Sequence, residues 1–224
     1  MGCAGCYAGL MKVNREILAR GGLALLNEVG LEDLTLRRLG TSLKVQAGAM
    51  YWHFQSKQAL LDEMATLLLA DAAAGLLPVR RRAEWPEWMS RFGEELRRAL
   101  LRYRDGARMV SGTRLTNTES MKASEAVAAR LVEAGFTTRQ AIVLMGTVYS
   151  YTLSFVMEEQ AVYPRPGERA EAYDLAQRSK RLAGENLPLM RQAGGILLDR
   201  FERRYKEGLA LIVAGAACQL ESIS

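Results

Sequence analysis

From Asn14 to the C-terminal end of this 224-residue chain, apolar residues recur three and four positions apart, and β-branched runs bounded by turn residues are nearly absent. Spacing near 3.6 residues gathers side chains along one stripe of a helix, whereas a half-buried strand needs alternation. The fold class that follows is all-α. At 49% hydrophobic residues, the chain is long enough for a helical domain of ordinary size plus a smaller module.

Local signals divide the first part into short helices. Asn14 can cap a first helix, with Val13 and Leu18 as a hydrophobic staple, Leu18, Leu25, Leu26 and Val29 inward, and Gly30 as its stop. Thr35 repeats the cap, Leu34 and Leu39 repeat the staple, and the second helix runs to about Leu43. After only Lys44 and Val45, a third segment runs from Gln46 to about Phe54, and Ser56 with Lys57 starts a longer helix through Leu68. A short helix, a tight turn and another short helix match a helix-turn-helix, whose second helix enters the DNA major groove.

The stretch from Leu77 to Pro86 breaks this periodicity with two prolines and the run Arg80, Arg81, Arg82, which reads as a solvated connection with a boundary near Pro78. Beyond it, helical faces span Trp85–Tyr103, Thr118–Glu133, Thr138–Gln160 and Ala193–Gln219 and build a bundle. Between Tyr163 and Asn186 the chain is charged and rich in Pro and Gly, with room for at most a short helix. The expected units are therefore a disordered leader (1–13), a three-helix helix-turn-helix domain (14–57), a connecting helix (58–77) and a helical domain (78–224).

Charge and reactive residues narrow the function. The net charge of +5 is mild, but residues 1–57 hold seven basic residues (Lys12, Arg15, Arg20, Arg37, Arg38, Lys44, Lys57) against four acidic ones (Glu16, Glu28, Glu32, Asp33), a local excess of three. Phosphate attraction there would supply affinity, and the second helix of the motif would supply sequence choice. His53 is the only histidine, so zinc centres built on several imidazoles and Ser/His/Asp machinery are excluded, and no phosphate-binding glycine loop occurs. Cys3, Cys6 and Cys218 make no disulfide framework, and the Cys3–Cys6 pair lacks further zinc ligands. The opening lacks a basic signal region, Met11 offers an alternative start, and no run approaches 18 apolar residues. These features point to a cytoplasmic protein without a membrane partner that is not an enzyme.

The segments LLNEVGLEDLTLRRLGTSLKV and MYWHFQSKQALLD resemble the DNA-binding module of the tetracycline-repressor family. The resemblance continues through ALLRYRDGAR, Gly112-Thr113-Arg114, the Glu133–Phe136 turn and Met157–Gln160, so it covers roughly Asn14 to Gln219. It implies a homodimer that binds a palindromic operator in double-stranded DNA and lets go when a small-molecule effector fills the domain over 78–224. By the same resemblance Arg37 reaches a guanine edge or phosphate, Thr35 caps and touches phosphate, Tyr51 and His53 contact groove and backbone, and Lys57 holds a phosphate. Gln46, Ala47, Gly48 and Ala49 open the recognition helix. The alanine methyls can meet a thymine methyl but cannot hydrogen-bond a base, so Arg37 is expected to dominate discrimination. Tyr51 is assigned outward, and Trp52 is expected in the core under Leu39 and Leu43.

For the sensor half, the resemblance implies Thr113 and Arg114 at the pocket and Glu158 approaching from the partner subunit. Val110 stands where the family's metal-binding histidine lies, Ala73 and Phe92 replace polar anchors, and Leu96 and Ala126 complete an apolar lining. Magnesium needs oxygen ligands or a good anchor, and a valine offers none. No cofactor is therefore expected, a magnesium–tetracycline effector is disfavoured, and an antibiotic or polyketide-like aromatic is favoured. The dimer is expected to pair a stripe of Met145, Val148, Thr152 and Val156 with Ile196, Phe201, Leu209, Leu211, Ile212 and Val213. Two alternatives share these residues: a transcriptional activator, and an all-α small-molecule-binding protein without DNA function.

Overall fold

A computed structural model describes residues 14–76 and 84–221, except for the side chain of Ser120. The leader, the Val13 staple, the boundary at Pro78 and the arginine run lie outside the described residues. Those described contain eleven α-helices and one 3₁₀ turn and no strand. In order these are α1 (Arg15–Asp33), α2 (Leu36–Ser42), α3 (Ala47–His53), α4 (Lys57–Leu76), α5 (Trp85–Leu101), α6 (Gly106–Val110), α7 (Glu119–Glu133), α8 (Thr138–Val162), the 3₁₀ turn Glu171–Tyr173, α9 (Leu175–Arg181), α10 (Pro188–Leu197) and α11 (Phe201–Glu221).

The N-terminal module forms for the local reasons its sequence suggests. Asn14 accepts from the Ile17 amide at 2.8 Å and Thr35 from the Arg38 amide at 3.1 Å, so α1 and α2 start where their caps stand. The expected stop at Gly30 is a break inside α1: its φ of 77° interrupts the helix, and helical residues resume as far as Asp33. A side chain there would be strained and would press on Arg104 and Asp105. Lys44, at φ 56°, turns the chain between α2 and α3. Leu18, Leu23, Leu26, Leu34, Leu39, Met50, Phe54, Leu60 and Met64 are all buried in one cluster, so α1 to α4 share a core.

The larger unit packs α5, α7, α8 and α11 around a second core. Proline sits in the first turn of α5 and α10, where its missing N–H has no intrahelical partner to lose. A reciprocal capping box of Thr137 and Gln140 starts α8. At the centre, the Tyr205 and Thr152 hydroxyls lie 2.8 Å apart, both residues buried. Gly93 admits Tyr205, because a β-carbon there would stand 2.5 Å from the phenol oxygen. Arg97 on α5 and Glu159 on α8 pair bidentately at 2.7–3.1 Å. Burial pushes the Glu159 carboxyl up against the pull of that arginine.

Of three expectations, two are corrected here, and that of a short helix in the insertion is met. The helix foreseen over Ala193–Gln219 is two helices, because Arg200 takes a left-handed φ of 48° after Leu198 and Asp199. The insertion after Tyr163 holds the 3₁₀ turn and the seven-residue α9. Met145, Val148, Thr152 and Val156, foreseen as a dimer stripe, are buried within the protomer, as are Phe201, Leu209 and Val213. Of the foreseen set, Ile196 on α10 and Leu211 on α11 do face outward, and on α8 the outward residues are Ile142, Val143, Gly146 and Ser150. Helix α8 is long and apolar enough by composition to cross a bilayer, yet it is the central bundle helix, packed on α5, α6, α7 and α11.

Candidate DNA interface and effector cavity

Helix α3 is anchored by Met50 and Phe54, four residues apart and both buried, which turns the rest of its surface outward. Gln46, Ala47, Gly48, Ala49 and Tyr51 are exposed, and nothing lies within 4 Å of a β-carbon built on Gly48. Trp52, expected in the core, is 81% exposed, more than Tyr51 at 56%. The inward stripe passes through Met50 and Phe54, and Trp52 falls between its turns. The indole meets the His53 ring edge-on at 4.6 Å, so two rings stand together at the C-terminal end of α3.

The basic residues around this helix divide by their partners. Arg38 is held by Asp33 at 3.3 Å, and Arg15 ties α1 to α4 through Glu63 at 2.9 Å. Arg37 is exposed and makes no ion pair among the described residues. Lys57, expected on a phosphate, donates within the protomer to the carbonyls of Leu31 at 2.6 Å and Glu32 at 3.3 Å, closing the C-terminal end of α1. Lys57→Met is therefore expected to lower unfolding free energy by about 1–2 kcal/mol in a urea titration. The logarithmic salt slope of DNA binding should stay unchanged, whereas loss of a phosphate contact would reduce it by about one.

A cavity of about 210 Å³ lies in the larger unit. Its walls are Leu69, Ala72, Ala73 and Leu76 from α4, Phe92 and Leu96 from α5, Thr113 and Leu115 from the loop after α6, Ala123 and Ser124 from α7, and Tyr149 from α8. Of the eight residues expected at the effector, Ala73, Phe92, Leu96 and Thr113 line this space. The other four do not, Ala126 among them being exposed on α7. Val110 is buried but outside the lining, and Arg114 faces solvent while its backbone N–H donates to Asp62. Glu158 projects from the outward side of α8, 67% exposed and 3.8 Å from Arg204.

Sequence reasoning missed Tyr149, Ser124, Ala123, Leu69, Ala72, Leu76 and Leu115. Tyr149 had one available signal, a polar-tipped ring on an otherwise apolar stretch of α8, and burial holds its phenol above the ordinary range. Among the described residues the lining contains no carboxylate and no imidazole, and no cluster of three metal-ligating side chains occurs. The magnesium that the resemblance implies does not fit this cavity.

Two sets of hydrogen bonds join the cavity to the DNA-binding module. The loop after α6 is fastened to α4: the Arg114 amide donates to Asp62 at 3.1 Å and the Thr116 amide to the buried Thr66 hydroxyl at 2.9 Å. At the other end of α6, Asp105 accepts from the Leu31 amide at 2.9 Å, just past the break at Gly30, and Asn27 accepts from the Arg104 amide at 2.7 Å. Thr113 and Leu115 thus sit on a loop pinned to the helix that follows α3.

Comparison with known proteins agrees with this architecture. Residues 18–64 match the family described as bacterial regulatory proteins, tetR family, and residues 77–220 match the tetracyclin repressor-like C-terminal domain. The tetracycline repressor protein class A from transposon 1721 of Escherichia coli is 37% identical over 213 residues, covering 93% of this chain and 92% of that one. The crystal structure of a possible TetR family transcriptional regulator from Streptomyces coelicolor A3(2) superimposes with a TM-score of 0.80 at 32% identity, covering 92% of this chain and 99% of the other. A class A TetR structure in complex with 5a,6-anhydrotetracycline and magnesium gives a TM-score of 0.63 at 32% identity, covering 89% and 95%. The chain belongs to the tetracycline-repressor (TetR) family of ligand-responsive transcriptional repressors, with a helix-turn-helix DNA-binding domain ahead of a tetracycline-repressor-like C-terminal domain.

Proposed function

We propose that this repressor is a cytoplasmic homodimer that holds a palindromic operator through α3 and Arg37, and that a largely apolar aromatic effector releases it without magnesium. The observation that carries this reading is the pair of hydrogen bonds from the cavity loop to Asp62 and Thr66 on α4. A ligand pressing on Thr113 and Leu115 moves that loop, and α4 must follow or lose the bonds. Since only Phe54, Gln55 and Ser56 separate α3 from α4, tilting α4 changes the separation of two recognition helices in a dimer. A coupling of about 1–3 kcal/mol, common in allostery, weakens operator binding about 5- to 150-fold.

The dimer reading rests on the outward apolar residues of α8 and α11, which a lone protomer leaves in water. Two-fold pairing suits half-sites about 34–36 Å apart. It also gives Glu158 a route toward the partner's cavity.

A mobility-shift titration on the DNA flanking the gene for this protein tests the reading. Wild type should bind that DNA and be released by uncharged polycyclic aromatics, with no change when EDTA replaces magnesium. Ala73→Phe, which fills the cavity, should bind the DNA as wild type does and resist release by every compound that releases wild type. Release by tetracycline only when magnesium is present would overturn the proposed effector class.

A further inference from the structure

Resting on that reading of the cavity, we propose that the phenol of Tyr149 is the polar anchor of the effector, which is an uncharged flat molecule carrying a carbonyl-type hydrogen-bond acceptor. Among the described residues only Thr113, Ser124 and Tyr149 bring a polar side-chain atom to the cavity wall. The Thr113 hydroxyl already gives its proton to the Val110 carbonyl at 2.6 Å, so toward a ligand it can only accept. Ser124 interacts within the protein. Tyr149 makes no hydrogen bond among the described residues, and it stands in the cavity wall. Burial keeps that phenol protonated well above neutral pH, so it offers a donor.

The rest of the wall sets the other properties of the ligand. Among the described residues no charged side chain lines the cavity, so an anion or cation entering it would lose hydration without compensation from them. The rings and aliphatic chains of Phe92, Leu96, Leu69 and Leu76 offer apolar surface, which a flat hydrocarbon skeleton would cover. A single donor on α8 facing such a skeleton selects for one acceptor at one end of the ligand.

Three probes of nearly one skeleton separate these claims: 9-fluorenone, fluorene and fluorene-9-carboxylate, titrated calorimetrically into the full chain and into Tyr149→Phe. Wild type should bind fluorenone about tenfold more tightly than fluorene, the effect of one hydrogen bond. Tyr149→Phe should bind both equally, with fluorene affinity unchanged, and the carboxylate should bind neither protein measurably. A fluorenone preference that is absent from wild type, or that survives in Tyr149→Phe, would overturn the anchor while leaving the cavity reading intact, as would tight binding of the carboxylate overturn the neutral class. If neither neutral probe binds, or if Ala73→Phe binds them as wild type does, the cavity is not the site and the inference falls with it.

Discussion

Leu211→Asp should leave the protein monomeric at concentrations where the parent is dimeric, and should weaken operator binding by about 10²- to 10⁴-fold. Leu211 is 76% exposed on α11 and contributes nothing to either core cluster. The folded protomer should therefore survive the substitution, with unchanged helicity by circular dichroism. In the proposed dimer the same residue lies against the partner, beside the outward faces that carry Ile142 and Val143. Two-fold symmetry introduces each carboxylate twice, and an unpaired charge buried at an interface costs about 3–5 kcal/mol. Operator affinity falls further than dimer stability alone suggests, because a monomer engages one half-site and loses the effective concentration that the second enjoys. Sedimentation equilibrium combined with a mobility-shift titration measures both effects. A Leu211→Asp protein that still sediments as a dimer would remove α11 from the interface.

The interface is also where the sequence was least legible. Helix α8 is apolar on nearly every side, so a stripe at positions 145, 148, 152 and 156 and another at 142, 143, 146 and 150 satisfy helical spacing equally well. Which stripe faces inward depends on α5 and α11 packing against it, information that no local window contains. The DNA-binding module was legible for the opposite reason. Asn14 and Thr35 are caps whose chemistry acts within three residues, and the turn at Lys44 leaves no room for another arrangement. Trp52 was misread even there, since an aromatic ring near a helix end was taken for core. The spacing of Met50 and Phe54 already defined the inward stripe, and Trp52 lies two positions off it.

The cavity shows an intermediate case. Phe92, Leu96 and Thr113 were placed by resemblance, and all three line it. Arg114 was carried along with Thr113, but in an irregular loop neighbours point in opposite directions, and here the arginine backbone serves Asp62 instead. Tyr149 escaped notice because its ring fits the apolar pattern of α8 and only its hydroxyl departs from it. A bundle is determined by its apolar faces, whereas the polarity of a cavity within it turns on single atoms.

Arg37→Ala should reduce affinity for the operator by about 2–6 kcal/mol per dimer, since each bidentate arginine–guanine contact is worth about 1–3 kcal/mol and the dimer makes two. The loss should fall on discrimination. Exposed Ala47, Gly48 and Ala49 present no hydrogen-bonding side chain to the groove, and Lys57 and Arg38 are engaged by α1 and Asp33. Arg37 and Lys44 are left as exposed cations with no ion pair among the described residues, Lys44 in the turn before α3 and Arg37, the one that can pair bidentately with a guanine, at the second position of α2 beside the Thr35 cap. Nonspecific binding depends on the sum of phosphate attractions and should drop only slightly, by about one phosphate contact per subunit. The ratio of operator to random-duplex affinity at fixed salt separates the two possibilities. A collapse of that ratio toward one with a nearly constant nonspecific affinity assigns Arg37 to base readout. An unchanged ratio, with both affinities lowered together, would make it a phosphate contact and would move base selection to Tyr51 and Trp52, the large side chains that α3 turns outward.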